Sequence, residues 1–221
     1  LNSAITDPPG LTGAPGFLNL RAYSIYPLRF GGSGNNTHTG TNWILDGMLE
    51  MGKTGGAQAF GPGFVSVGIG TTLQHQSGVF IEQINDLAML QVDGTYDLKG
   101  AFETVGTLGG SGSVLLGTGQ LSVGMRTNSI FDGIISGTGR LRKVGDGTSL
   151  TLTRSNSFTG GAVIDGGRLL VNNTNGSGTG TGNVWVNNAG VLSGTGRIVP
   201  AAGNSVIVTN GGTLGPGTNA G

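Results

Sequence analysis

The sequence predicts an all-β protein built as a parallel β-helix, or β-solenoid, and three features of its 221 residues predict it. Short segments alternate apolar and polar side chains, as strands with one buried face do. Glycine, at 47 residues, separates these segments and supplies the positive backbone angle φ that tight corners require. The chain also repeats itself, as stacked coils do.

The clearest repeat joins residues 35–53, NNTHTGTNWILDGMLEMGK, to residues 155–173, SNSFTGGAVIDGGRLLVNN. Equivalent positions include Asn36 with Asn156, Gly47 with Gly167, and Leu49 with Leu169. A second repeat is SGTGR, found at 136–140 and again at 193–197. Repeats of this kind favour a solenoid over a sandwich or a barrel.

The predicted strands follow one another with Gly, Asn, Asp or Thr at their ends, residues that tolerate turns. They are FVSVG at 64–68, AMLQV at 88–92, QLSVG at 120–124, SLTLT at 149–153, RLLVN at 168–172, NVWVN at 183–187 and SVIVT at 205–209. No segment has a 3.6-residue period, so we expect almost no helix. With roughly 20–25 residues per coil, residues 28–221 would form about eight or nine coils.

Residues 1–27 fall outside the repeats and carry four of the seven prolines. They are predicted to form an N-terminal extended arm or cap, and residues 28–221 the β-solenoid repeat domain. One interpretation is a linker or a cap on the first coil. The other is an arm whose alternating apolar residues form a strand that pairs with the edge of another subunit.

Composition excludes several classes of function. The 11 basic and 11 acidic residues cancel, which argues against nucleic acid as a partner. No apolar run approaches the ~20 residues that a transmembrane helix needs. Cysteine is absent, so no disulfide or cysteine-based metal site is expected. The chain begins with Leu1, and we expect a processed, secreted protein whose signal peptide is not in this sequence.

Residues 47–54, GMLEMGKT, match the phosphate-binding P-loop pattern. A P-loop needs a helix directly after it, because the helix N-terminus binds the phosphate. Here Met48 to Met51 alternate like a strand, and the TGGAQAFGPG that follows cannot begin a helix. We therefore predict no nucleotide site, and interpret Lys53 as a solvated corner residue.

Candidate catalytic and metal-binding residues are few. His38 aligns with Phe158 and is predicted to fill an aromatic position of the repeat, and His75 is predicted to lie in a polar loop. The acidic residues are predicted to form a solvated face rather than a glycosidase pair. They are Glu82, Asp86, Asp93, Asp97 and Glu103. No catalytic, cofactor-binding or metal-binding residue is predicted.

Residues 131–173, FDGIISGTGRLRKVGDGTSLTLTRSNSFTGGAVIDGGRLLVNN, resemble the autotransporter-associated β-strand repeat, also called the passenger-associated transport repeat. The shared features are GxG-x-L-x-K-x-G-x-G-T-x-L-T-L at 137–152, then N-x-F/Y-T-G-G and a GG-x-L-x-V strand. Weaker similarity extends over about residues 28–219. The resemblance implies a right-handed parallel β-helix on secreted or surface-displayed bacterial proteins, and it implies no particular activity.

Charge is distributed unevenly along the chain. Residues 1–125 hold 4 basic and 8 acidic groups, whereas residues 126–221 hold 7 basic and 3 acidic groups. In a solenoid, sequence order becomes position along the axis, so the two ends would have opposite charge and attract each other. Such head-to-tail contacts do not close into a ring and give a filament.

We therefore predict a non-enzymatic, extracellular or cell-surface structural protein whose main partner is another copy of itself. The residues proposed for assembly are Phe17, Leu18, Leu20, Tyr23, Tyr26, Asp93, Asp97, Arg140, Arg142 and Lys143. An alternative is the stalk of an autotransporter-type passenger or adhesin that displays another module. A cell-surface polysaccharide is a further candidate partner, and a carbohydrate-active β-helix enzyme is the third alternative.

Overall fold

The structure is a computed structural model, and it describes residues 17–22 and 26–217. These residues form parallel strands and contain no helix. The strands stack as a β-solenoid of about nine turns, which confirms the predicted fold class. Each coil runs along up to three flat faces, and each face is a parallel sheet whose hydrogen bonds run along the solenoid axis.

Face 1 runs the whole length of the solenoid. It joins two five-stranded sheets through a parallel bridge between Gly110 and Phe131. Its strands are β1 (Phe17–Arg21), β3 (Thr41–Asp46), β5 (Phe64–Val67), β7 (Met89–Val92), β10 (Thr107–Gly109), β13 (Ser129–Phe131), β16 (Ser149–Leu152), β18 (Gly167–Val171), β20 (Gly190–Gly194) and β22 (Thr213–Pro216).

Faces 2 and 3 are each six strands long and cover different parts of the axis. Face 2 consists of β2 (Leu28–Phe30), β4 (Met48–Met51), β6 (Thr72–His75), β8 (Thr95–Asp97), β11 (Ser113–Leu115) and β14 (Ile134–Ser136). Face 3 consists of β9 (Phe102–Val105), β12 (Gln120–Val123), β15 (Arg140–Lys143), β17 (Ala162–Ile164), β19 (Val184–Val186) and β21 (Val206–Val208). The central coils are therefore three-sided, and the coils on either side have strands on two faces.

Coil length varies more than the sequence predicts. Met89 pairs with Phe64 of the preceding coil and with Thr107 of the following one, so these two coils span 25 and 18 residues. The strands nevertheless keep the same inward and outward alternation. Insertions are absorbed between strands, where backbone conformation is less restricted.

The core consists of apolar ladders, in which the same inward position of successive strands carries an aliphatic side chain. Leu150, Leu169 and Leu192 pair in register along face 1, and all three are buried. Ala162, Val184 and Val206 form a matching ladder on face 3. Each rung shields its neighbours from water, so stability depends on contact between adjacent coils.

The repeat of 35–53 in 155–173 marks equivalent corners on different sides of the solenoid. Gly47 and Gly167 adopt positive φ values of 67° and 65°. Gly47 connects face 1 to face 2, whereas Gly167 connects face 3 to face 1. The two copies are therefore displaced by one face around the axis, and both glycines make the same left-handed corner between two strands.

Face 2 ends at β14, and a buried asparagine completes its edge. Asn156 Oδ1 accepts a hydrogen bond from the Ile135 amide at 2.7 Å, and its Nδ2 donates to the Gly178 carbonyl oxygen at 2.7 Å. One side chain thus connects the coils before and after its own. Asn36 makes a similar contact near the other end, where its Nδ2 donates to the Ala59 carbonyl oxygen at 2.7 Å.

The part of the predicted arm that the structure describes belongs to the first coil. Strand β1 pairs in parallel with β3, and Leu20 lies inside the core beside Ile44. Residues 1–16 and 23–25 lie outside the described residues, so the division into an arm at 1–27 and a solenoid at 28–221 stays a prediction.

Candidate functional site

Three ionisable side chains occupy inward positions that apolar residues fill in neighbouring coils. His75 lies on β6, Glu103 on β9 and Lys143 on β15, and all three are buried. Glu103 starts the ladder that continues with Leu121 and Leu141. Buried charges are costly unless they are paired or hydrogen-bonded, so each of them needs a structural explanation.

His75 and Glu103 form a buried cluster with Tyr96, between faces 2 and 3. His75 Nε2 lies 3.0 Å from Glu103 Oε2 and 3.1 Å from the Tyr96 hydroxyl oxygen. The carboxylate also accepts hydrogen bonds from the backbone amides of Gln83 at 2.9 Å and Ile84 at 3.1 Å. Glu103 therefore completes the edge of face 3, because β9 is its first strand and the preceding coil has no strand there.

Burial raises the pKa of Glu103, against the opposing effects of His75 and the two amides. Burial also raises the pKa of Tyr96, and the nearby Glu103 carboxylate adds to that shift. The phenol therefore stays protonated and can donate a hydrogen bond. The cluster is fully enclosed, so it can hold neighbouring coils together but cannot contact a substrate in this conformation.

Two predictions about these residues are wrong. His75 belongs to a strand rather than a polar loop, and Glu103 is enclosed rather than part of a solvated face. The alternation in FETV, where Glu103 and Val105 share one face, was the signal that could have located Glu103. Among the other acidic candidates, Glu82 lies beside Asp86, and burial followed by the repulsion of that carboxylate raises the pKa of Glu82.

Lys143 forms a second interior polar centre, at the corner between faces 3 and 1. Its Nζ donates to the carbonyl oxygens of Val144, Gly145 and Gly166 and to the hydroxyl of Thr148. Burial lowers the pKa of Lys143 to about 8, so the side chain is still mainly protonated at pH 7. The ammonium group thus supplies hydrogen bonds to the carbonyl groups of this corner.

Lys53 is buried, so its interpretation as a solvated corner residue is wrong. Its Nζ donates to the Gly34 carbonyl oxygen at 2.8 Å, and its backbone exchanges hydrogen bonds with the Gln83 side chain. Burial lowers the pKa of Lys53. Met48–Met51 is strand β4, and no helix follows it within the described residues, so GMLEMGKT lacks the helix that a P-loop requires.

The proposed assembly residues near the N-terminus lie on or beside the first coil. Phe17 is 75% exposed and Tyr26 is 73% exposed, whereas Leu18 packs against the core and Leu20 is buried within it. Tyr23 lies outside the described residues. Phe17 and Tyr26 are therefore the two members of this group with side chains largely open to contact.

The charged residues proposed for assembly lie on the sides of the solenoid rather than at its ends. Asp93 and Asp97 belong to the fourth coil, and Asp97 pairs with Lys99 at 2.8 Å. Arg140 and Arg142 belong to the sixth coil, and Arg142 pairs with Asp165 at 2.5 Å. Lys143 points into the interior, so its ammonium group is enclosed by its own chain.

The last apolar rung among the described residues is partly exposed. Leu192 is 5% exposed, and Leu214, the next residue in that ladder, is 52% exposed. A cavity of about 300 Å³ opens beside it, lined by Val171, Ile198 and Val206 among others. At the opposite end, Leu20 and Phe30 of the first coil are buried. The two ends of the described solenoid are therefore unlike.

In the part of the chain that the structure describes, no three or more His, Asp or Glu side chains are grouped so that they could hold a metal ion. His38 is buried, as is Phe158 in the equivalent position of the repeat. Residues 17–22 and 26–217 also include no helix of the length and apolarity that spanning a membrane requires.

Comparison with known proteins gives a partial similarity. The chain is 35% identical over 111 residues to the adhesin BmaC autotransporter of Brucella suis biovar 1 (strain 1330). That stretch is 50% of this chain and 3% of the Brucella protein, so the chain spans a small share of its relative. No family model and no solved structure matches the chain. Together with the solenoid, the similarity is consistent with an autotransporter-associated repeat.

Proposed function

We propose that this chain is a non-enzymatic structural segment of a surface-displayed passenger of the autotransporter type. The observation that carries the proposal is the parallel stacking along face 1, where two five-stranded sheets joined by the bridge between Gly110 and Phe131 follow one another from β1 to β22. A ladder of this kind makes a stiff rod because every coil is bonded to the next. Such a rod can hold an adhesive module away from the cell surface.

Two further findings support a structural role. The similarity to the BmaC adhesin lies within a protein far longer than this chain, as expected for a segment of a passenger. The ionisable groups of the core, His75, Glu103 and Lys143, are enclosed and bonded within the chain. In this conformation none of the three can reach a substrate, which favours support over catalysis.

Surface labelling tests this proposal. An antibody raised against the purified protein should stain intact cells of the native bacterium, and brief external protease treatment should remove the stain. A cytoplasmic protein probed in the same cells provides the control for lysis. Staining that appears only after permeabilisation would contradict surface display.

A second candidate function is head-to-tail assembly into an extracellular filament, sheath or surface layer. It is favoured by the unequal charge of the two halves of the chain. Burial preserves that inequality: the buried Lys53, Glu50 and Glu103 take one net negative charge from the first half, and the buried Lys143 takes one positive charge from the second.

Electron microscopy at low and high salt distinguishes the two candidates. Assembly through opposite charges predicts filaments at low salt that shorten as salt rises, since salt screens exposed charges. Monodisperse particles at high protein concentration in low salt would contradict assembly and leave the display proposal in place.

A further inference from the structure

A cleft of about 460 Å³ opens on the outer side of face 1, across strands β16, β18 and β20. Outward side chains of the sheet, Leu170 and Val191, provide its apolar floor. Asp146, Arg168 and Asn128 bring a carboxylate, a guanidinium and an amide to its rim. Small-molecule sites commonly have this volume and combine an apolar surface with a few polar groups.

The wall that carries Asp146 is held in place by the buried Lys143. Lys143 Nζ donates to the Gly145 carbonyl oxygen at 3.2 Å and to Thr148 Oγ1 at 2.9 Å, on either side of Asp146. Thr148 Oγ1 in turn donates to the Gly124 carbonyl oxygen of the preceding coil at 2.7 Å. A rigid wall reduces the entropy lost when a ligand binds.

Glycine at position 166 provides the space for the Asp146 carboxylate. A Cβ atom on Gly166 would lie 2.6 Å from Asp146 Oδ1, which is closer than a Cβ atom approaches a non-bonded atom. On the other side of the cleft, Asn128 Oδ1 accepts a hydrogen bond from the Ser149 amide at 2.8 Å. The Asn128 amide therefore has a defined position at the rim, and the Asp146 carboxylate has room beside Gly166.

Ala189, which also lines the cleft, has a strained backbone. Its φ of 66° lies in the left-handed region, which non-glycine residues seldom adopt, and Lys99 is the other such residue in the described part of the chain. Strain of this kind is concentrated at functional sites. At this position the Ala189 side chain places a methyl group at the rim, whereas glycine would leave the backbone without a side chain.

The charges at the rim indicate the class of ligand. One carboxylate and one guanidinium at the rim give no net charge. Asp146 would repel an anionic ligand, and Arg168 would repel a cationic one. A carboxylate accepts hydrogen bonds from hydroxyl groups, while guanidinium and amide groups donate them. Arg168 has a partner within the protein, and its five N–H donors allow it further contacts.

We propose that this cleft binds a neutral sugar ring, with its C–H face on Leu170 and Val191 and its hydroxyl groups on Asp146, Arg168 and Asn128. This inference goes beyond the proposed display role and does not depend on it. In this proposal Lys143 is a positioning residue, because its buried ammonium group holds the wall of the cleft in place.

Saturation-transfer difference NMR on the purified chain tests the proposal. The probes are glucose, galactose, mannose and N-acetylglucosamine, each at about 10 mM, a concentration that occupies sites of millimolar affinity. At least one should receive saturation, and Asp146→Asn and Arg168→Ala should each weaken its binding about tenfold or more. Asp132→Asn and Arg197→Ala, exposed residues outside the cleft, are the matched controls and should bind as the wild type does.

Three outcomes would overturn the proposal. They are no saturation transfer to any of the four sugars, binding that Asp146→Asn and Arg168→Ala leave unchanged, and binding of glucuronate in place of the neutral sugars. Circular dichroism of each variant checks that it is folded. A loss of binding can then be separated from unfolding of the variant. A negative result leaves surface display untouched, since cell labelling does not involve the cleft.

Discussion

At the scale of single residues, direction within a strand decides whether a side chain supports the fold. In β18, Leu169 points inward between Leu150 and Leu192, while the adjacent Leu170 points outward and is half-buried. The inward side chain loses its contact with water on both sides of its rung. The outward one retains part of that contact, so identical substitutions at the two positions should have very different costs.

Leu169→Asp should lower the free energy of unfolding by about 3 kcal/mol or more, because an unpaired carboxylate would be buried in an apolar ladder. Leu170→Asp is the matched control and should cost less than about 1 kcal/mol. Urea denaturation followed by circular dichroism measures both values. Equal costs for the two variants would show that the inward and outward assignments are wrong.

The buried Lys143 should make the free energy of unfolding depend on pH. Burial lowers its pKa to about 8, whereas the unfolded side chain keeps its proton to about 10.5. Between these values the unfolded state binds more protons, so stability should rise with pH across this window. The free energy of unfolding of the wild type should therefore gain up to about 3 kcal/mol relative to Lys143→Met between pH 8 and 10.5. Parallel pH profiles for the two proteins would contradict this interpretation.

At the scale of elements, the solenoid depends on tight corners and on finished sheet edges. The corner at Gly167 brings the backbone close to the preceding coil, since an added Cβ atom would lie 2.3 Å from the Thr148 carbonyl oxygen. The edge of face 2 depends instead on one side chain, Asn156. The corner at Gly167 and the edge at Asn156 are independent features, and a single substitution can disrupt either of them.

Gly167→Ala should destabilise the protein by about 2–3 kcal/mol or more, through a positive φ combined with the close contact to Thr148. Gly147→Ala is a suitable control because Gly147 also has a positive φ, of 74°, but no atom within 4 Å of an added Cβ. That variant should cost only the backbone strain, about 1 kcal/mol. Thermal unfolding of both variants measures the difference, and similar losses would argue against close packing at the corner.

Asn156→Ala should cost about 2–4 kcal/mol, because it leaves the Ile135 amide and the Gly178 carbonyl group buried without this partner. Asn175→Ala is the control, since Asn175 is exposed, and it should change stability by less than about 0.5 kcal/mol. Chemical denaturation of both variants provides the measurement. A neutral Asn156→Ala would mean that the edge of face 2 is held by other contacts.

At the scale of the whole molecule, sequence alternation predicted the strands, the inward leucines and the stacking of coils. It did not predict which side of the solenoid each repeat occupies, because Gly47 and Gly167 satisfy the same local rule at different corners. The interior positions of His75, Glu103 and Lys143 were missed because their partners are distant in sequence. Glu103, for example, bonds the amides of Gln83 and Ile84 in the preceding coil.

The central claim is that successive coils stack along one axis, and distances between spin labels test it most directly. The chain has no cysteine, so labels can be attached at introduced cysteines on outward positions of face 1. Asn19 is separated by five rungs from Ile130 and by seven from Leu170. At about 4.8 Å per rung, stacking predicts distances of about 24 Å for Asn19–Ile130 and about 34 Å for Asn19–Leu170 in double electron–electron resonance. Equal distances, or a shorter one to Leu170, would contradict the solenoid.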